Sequence, residues 1–492
     1  MSDKLRVNAL FTDHMVLQRE RGVPVWGTGA EGAAVTVRCG EASAQAVVRN
    51  GEWKAELPPL QVGGPYELII EASADRIVLR DVLVGDVWLA GGQSNMEWRL
   101  IDSADPQPEI ASASLPNIRY YEVPRVAFDD GQQHAGAWTV CSPETAAQFT
   151  AVGYYFAKRL ERSLDVPIGI LGCNWGGTSA TCWVPEESIA SDPELRIYVD
   201  EYKDAIGKLN SDSAKQQADD YQAAVDGYIS RQAAGHTGTE LGDYPWPPPM
   251  NERSFLRPNG LYGTMLKPTA PYAIKGFIYY QGETDAGRAS MYDRLMGILI
   301  DKWRGDWGDS TLPFLFVQLT GYGDGNDREH DAYNWPLLRE AQQKVTEQVP
   351  NTAMAVILDC GEELDIHPKD KKSVGERLAG IALKEVYGQD VACYGPFYKE
   401  LVIDGGKAIV HFEHTDGGLK STEGDVLGFQ IAGSDGRYAD AVATIAGDTV
   451  ELSSREVAAP VAVRYGWASF PIATLANGIG LPAAPFRTDR GQ

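Results

Sequence analysis

The rhythm of apolar and polar positions changes twice along the chain. From about residue 7 to 81, short runs alternate, as in Ala34-Val35-Thr36-Val37-Arg38 and Tyr66-Glu67-Leu68-Ile69-Ile70, and Gly, Pro and the pair Asn50-Gly51 interrupt them. Period-two alternation with turn residues predicts strands joined by hairpins, a sandwich-like β region. Solid apolar runs then take over. Those at 87–90, 168–171, 277–280, 314–319 and 353–358 predict buried strands, and the amphipathic stretches 146–164, 291–303, 336–348 and 373–387 predict helices between them. Strands apolar on both faces and separated by helices imply right-handed crossovers and a parallel sheet covered on both sides, a three-layer α/β fold. Alternation returns near 395, as in Ala408-Ile409-Val410-His411-Phe412 and Val461-Ala462-Val463-Arg464-Tyr465. The expected division is 1–82 (β), 83–392 (α/β) and 393–492 (β). Within the middle part, Ile197, Tyr198, Tyr202, Ile206 and Leu209 recur at helical spacing, so about 186–250 reads as a helical insertion ending in the loop Pro245-Trp246-Pro247-Pro248-Pro249.

A chain of 492 residues exceeds what one hydrophobic core usually serves. The formal charge of −24 leaves no polybasic stretch to neutralise phosphates, which argues against nucleic acid and anionic membranes as partners. No apolar segment reaches the length of a membrane span, and the first residues are not followed by a signal core. The expected location is cytoplasmic, or secreted or periplasmic if a leader has been removed. The six cysteines lack metal-site spacing and are expected as free thiols, a Cys173–Cys182 bridge being the alternative. The acidic stretch 324–331 does not follow a calcium-loop pattern and reads as a solvated loop, and His411 and His414 lie on a predicted strand. No metal or cofactor is expected.

Candidate chemistry gathers where strands should end, the usual ligand edge of a parallel sheet. Gly91-Gly92-Gln93-Ser94-Asn95-Met96 trails the first buried run, and Leu364-Asp365-Ile366-His367-Pro368 trails the last. Ser94 reads as a capped tight turn when taken alone. With His367 and Asp365 it supplies the hydroxyl, base and orienting acid of nucleophilic catalysis. Asp365 lies only two residues before His367, so an extended backbone would hold the two side chains apart and a turn is required. Two further strand ends deliver Trp175-Gly176-Gly177-Thr178 and Gln281-Gly282-Glu283-Thr284-Asp285 to the same edge. The backbone N–H groups of Ser94 and Gly177, with the Gln281 amide, would serve a developing oxyanion, while ordinary turns and a capping Gln are the plain alternative.

Four blocks in this order, Gly92-Gln93-Ser94-Asn95-Met96, Trp175-Gly176-Gly177-Thr178, Tyr280-Gln281-Gly282-Glu283 and Asp365-Ile366-His367-Pro368, resemble the sialate O-acetylesterase family of the SGNH-hydrolase superfamily, some of whose members are acetylxylan esterases. Val374-Gly375-Glu376-Arg377-Leu378-Ala379 and the tail Val463-Arg464-Tyr465 extend the likeness over nearly the whole chain. The resemblance implies a flavodoxin-like (SGNH) sheet, Ser94 as nucleophile, His367 as base, and an oxyanion hole of Ser94, Gly177 and Gln281. It leaves the acid open between Asp365 and Glu283. Where relatives commonly show Ser-Asn after that glutamate, this chain has Thr284-Asp285, an added negative charge that speaks against an anionic sugar. Gln93 and Trp175 are candidate substrate contacts, and Arg257 and Arg288 are candidates for gripping a sugar carboxylate. The expected activity is removal of acetyl groups from sugar hydroxyls, sialate or xylan type, with an acetylated carbohydrate as partner and oligomeric state open. The alternative is a non-catalytic glycan-binding protein.

Overall fold

The computed structural model describes residues 4–73, 75–129, 134–236, 238–242, 244–323 and 334–489. Its centre is a mixed sheet in the order Trp138–Cys141, Leu115–Glu122, Ile168–Asn174, Asp75–Gly92, Gly276–Tyr280, Phe314–Val317, Thr352–Ala355. Every neighbouring pair from Leu115–Glu122 onward is parallel, and only the edge strand Trp138–Cys141 runs antiparallel. Ile168–Asn174, Gly276–Tyr280 and Phe314–Val317 are buried throughout, which is why they read as unbroken apolar runs. Helices Ala151–Leu164 and Lys371–Glu385 pack on each other, as do Tyr292–Asp306 and Trp335–Gln348. After Asp75–Gly92 the chain lays Leu115–Glu122, Trp138–Cys141 and Ile168–Asn174 on one side of it and the strands from Gly276–Tyr280 onward on the other, so a crevice opens at its carboxyl end.

Two features differ from the sequence-based expectation. Leu115–Glu122 is a sixth parallel strand where five were expected. Its Pro116, Asn117 and Arg119 break the apolar run, and the buried Arg119 is satisfied by Asp81 and the Pro116 carbonyl. The boundary expected after residue 82 falls inside Asp75–Gly92, one strand of 18 residues. Its first half pairs with Gly63–Ala72 and its second half is the middle of the large sheet. A single hydrophobic core therefore runs from the N-terminal strands into the α/β part, whereas the C-terminal strands form two four-stranded sheets and one two-stranded sheet with a core of their own.

The segment 186–250 carries the helices Glu186–Ala190, Arg196–Gly207, Ser211–Ala233 and Gly238–Leu241. Among its described residues, Ser211–Ala233 buries none, and its start is held by a capping box between Asn210 and Ser213. All six cysteines are free and buried. Among the described residues no helix is long and apolar enough to cross a membrane, and no group of three or more His, Cys, Asp or Glu could hold a metal ion. The acidic stretch 324–331 lies outside the described residues.

Candidate active site

The central strand ends in a turn that only glycine fits. Gly92 has φ +139°, and a Cβ there would lie 2.1 Å from the Tyr280 carbonyl of the next strand. The chain turns at that point, the Gln93 N–H donates to the same carbonyl at 3.1 Å, and Ser94 opens a single helical turn, Ser94–Glu97. A residue that begins a helical turn has no acceptor within it for its N–H, so that of Ser94 is left to face other groups. His367 comes from the loop before helix Lys371–Glu385, and its Nε2 lies 2.9 Å from Ser94 Oγ. The Trp98 ring stacks on the imidazole, with centroids 5.0 Å apart and planes 17° apart. Ser94, His367, Trp98, Asn174 and Gly176 line one cleft of about 320 Å³.

The imidazole is set up to accept a proton. Burial pushes its pKa down to about 4, the Lys371 and Lys369 ammonium groups push the same way, and Asp365 opposes them, so the ring is neutral near pH 7. Asp365 does reach His367 through a turn, but its carboxylate bonds the backbone rather than the ring. Oδ1 accepts from the His367 N–H at 2.8 Å and stands 3.8 Å from Nδ1, beyond a hydrogen bond, while Oδ2 accepts from Lys369 at 2.7 Å. Burial would raise the Asp365 pKa, yet Lys369 and the His367 N–H hold it below the usual carboxylate value. The rival acid Glu283 does not bond the ring either. Its Oε1 accepts from the Asn95 amide at 2.5 Å, and its Oε2 is enclosed with no hydrogen-bond partner. Burial raises its pKa, against the pull of Asn95 and Lys371.

Known proteins resemble this chain over nearly its whole length. A profile described as carbohydrate esterase, sialic acid-specific acetylesterase matches residues 233–384. The sialate O-acetylesterases of Mus musculus and Homo sapiens are each 26% identical, over 98% and 99% of this chain and 94% and 93% of their own. The crystal structure of a carbohydrate acetylesterase from Xanthomonas citri is 36% identical, with TM-score 0.82 and 99% of both chains covered. The chain belongs to the sialate O-acetylesterase family of carbohydrate esterases.

Around this sialate O-acetylesterase-family cleft, the other expected residues fall into two groups. Gln93 is buried and works inward, its Oε1 facing the Gln281 amide at 3.2 Å and the N–H groups of Gly282 and Thr284. Gln281 does not present its amide to the cleft: Nε2 is shared among Asp285 at 2.7 Å, the Thr178 carbonyl at 3.1 Å and Gln93. The expected oxyanion role of Gln281 therefore meets an amide whose two hydrogens are already taken. The Asn174 side chain lines the cleft beside Ser94 and makes only a long 3.4 Å contact to the Ala90 carbonyl. Gly177 has φ +71°, and a Cβ there would strike the Trp246 ring at 2.0 Å, so the insertion's Pro-rich loop lies directly on the Gly177 turn.

Trp175 is half-buried and stacked on Phe255 at 4.4 Å. Arg257 donates to the carbonyls of Ala127 and Ser254, and Arg288 pairs with Glu201 and lies over the Tyr198 ring. Neither arginine lines the cleft with Ser94. Asp285, expected as an added negative charge bearing on the substrate, is buried and accepts from Ser179 at 2.6 Å, the Ala180 N–H at 2.9 Å and Gln281. It organises the segment after Gly177 instead of repelling a substrate. Sequence reasoning missed Lys371, fully buried behind His367, and the inward role of Asn95. The available signal was their position, one residue after the serine and four after the histidine.

Proposed function

We propose that this protein is a serine-dependent carbohydrate O-acetylesterase. The observation that carries the reading is the 2.9 Å contact between Ser94 Oγ and His367 Nε2, made by residues 273 positions apart at the carboxyl ends of a parallel sheet. In this reading Ser94 attacks the acetyl carbonyl as His367 takes its proton. The tetrahedral oxyanion is held by the backbone N–H groups of Ser94 and Gly177 and by the Asn174 amide. His367 then returns the proton to the departing sugar hydroxyl, and water repeats the cycle on the acetyl-Ser94 ester, releasing acetate. The family membership and the names of the relatives support an acetylated sugar as substrate. The order of the parallel strands around Asp75–Gly92 supports the flavodoxin-like, SGNH-type reading of the sheet.

Between sialate and neutral acetylated sugars such as xylan fragments, one observation favours the neutral class. Both arginines of the cleft already face carboxylates, Arg99 with Asp102 at 2.9 Å and Arg125 with Glu97 at 2.8 Å, and Glu122 adds a third acid. A sugar carboxylate would have to displace one of these pairs. The test is acetate release from an aryl acetate by the native protein and by Ser94→Ala, followed by acetylated sialic acid against acetylated xylan fragments. Ser94-dependent release, faster on the neutral fragments, is the expected result. Glycan binding with no Ser94-dependent release would instead identify a non-catalytic binding protein.

A further inference from the structure

His367 has no hydrogen-bonded carboxylate on Nδ1, so something else must hold its ring against Ser94. The structure offers a buried circuit. The Asn95 amide Nδ2 donates to the carbonyl of Ile366 at 3.0 Å, and Lys371 Nζ donates to the carbonyl of Pro368 at 2.5 Å. The first carbonyl belongs to the peptide that enters His367, and the second to the Pro368–Lys369 peptide, one beyond the peptide that leaves it. Lys371 Nζ also donates to Asn95 Oδ1 at 2.7 Å, and Asn95 Nδ2 reaches Glu283 Oε1 at 2.5 Å. The stretch Ile366–Pro368 that carries the histidine is thus fastened to the residue that follows the nucleophile, directly at Ile366 and through Lys371 at Pro368.

We propose that Lys371 and Asn95 are positioning residues of the esterase site, a clamp that fixes His367 on Ser94 with Glu283 as its buried counter-charge. The proposal rests on the catalytic reading of Ser94 and His367 given above. A purely structural role fits poorly with the location of Lys371. It is fully buried, which is costly for an ammonium, and it is the first residue of helix Lys371–Glu385, where the helix dipole disfavours a cation. An apolar residue would fill that place at lower cost if packing were the only need. Burial lowers the Lys371 pKa to about 7, Lys369 pushes the same way, and Glu283, Cys360 and Asp365 oppose. Lys371 in turn helps to lower the pKa of His367.

Lys371→Met keeps the aliphatic stem and removes the charge. Hydrolysis of an aryl acetate by the full chain is expected to show kcat reduced about 100-fold, KM within about twofold, and an unchanged melting temperature, the pattern of a misplaced base. The acid limb of the kcat/KM profile should also move to higher pH, because a cation that disfavours the imidazolium has gone. Asn95→Ala tests the same clamp from its other half and should lower kcat alone, which keeps the proposal open to refutation if Lys371→Met does not fold. Wild-type kcat in either variant while folded overturns the clamp, as does a change confined to KM. Retained hydrolysis by Ser94→Ala would instead overturn the catalytic reading itself, so the two failures are told apart by that control.

Discussion

Two residues apart, after the strand Gly276–Tyr280, Glu283 and Asp285 send their carboxylates to different neighbours. Asp285 meets Ser179, the Ala180 N–H, Gln281 and Tyr198, so it ties the Gly177 turn and the helical insertion to the sheet. Glu283 meets the Asn95 amide and its own backbone N–H, leaves Oε2 unpartnered, and shares its enclosure with Lys371. One carboxylate is saturated with donors and shapes a wall; the other is under-satisfied and electrostatically tied to the groups behind the base. A buried carboxylate with full hydrogen bonding serves shape, whereas one left short of donors at a strand end is where the chemistry should be sought.

Mutation and pH can break or sharpen that contrast. The largest effect belongs on the Glu283 side: His367→Ala should lower kcat by about 10⁶-fold in steady-state acetate release, as for a base acting jointly with its nucleophile. Next, Asp285→Ala strands several buried donors and should lower unfolding stability by about 3 kcal/mol in denaturant titration. A drop in kcat at unchanged stability would erase the distinction between the two carboxylates. Smaller again is Asp365→Asn, for which a fall in kcat of about tenfold is expected, well short of the ~10⁴ typical of an acid bonded to the ring. The same measurements across pH should show kcat/KM level through neutrality and falling as pH drops toward about 4, where the imidazolium forms and can no longer take the Ser94 proton. Arg288→Ala should change least, with kcat unaltered and stability within about 1 kcal/mol, since its partner Glu201 is exposed.

Much of the scaffold could be read from apolar periodicity, because strands buried on both faces leave no polar interruption, and helices Tyr292–Asp306 and Trp335–Gln348 carry clear amphipathic spacing. Leu115–Glu122 was hidden because a buried arginine and a proline broke its run. That Ser94 and His367 come together at one edge could be read from their positions after strands. What could not be read was the direction of side chains within the motifs. Nothing in the order Gln93, Ser94, Asn95 says that the two amides face inward, or that Gln281 spends its hydrogens on Asp285. Lys371 looked like an ordinary helix-opening residue because its partners lie 276 positions away on Asn95 and at the Pro368 peptide. The roles expected for Arg257 and Arg288 rested on charge alone, and charge does not say which neighbours it has already met.

The strand Asp75–Gly92 has a practical consequence for anyone who would dissect this molecule. Its first half is a rung of the N-terminal β region and its far tip carries the turn that holds Ser94, so the two cannot be parted at a linker. Trimming the amino-terminal 80 residues to obtain a minimal enzyme would remove the partners that hold the shaft on which Ser94 is mounted. By contrast, the carboxy-terminal strands form a hydrophobic cluster of their own, joined to the α/β part by the Arg487–Glu340 pair and by the bond from Arg339 to the Ala468 carbonyl.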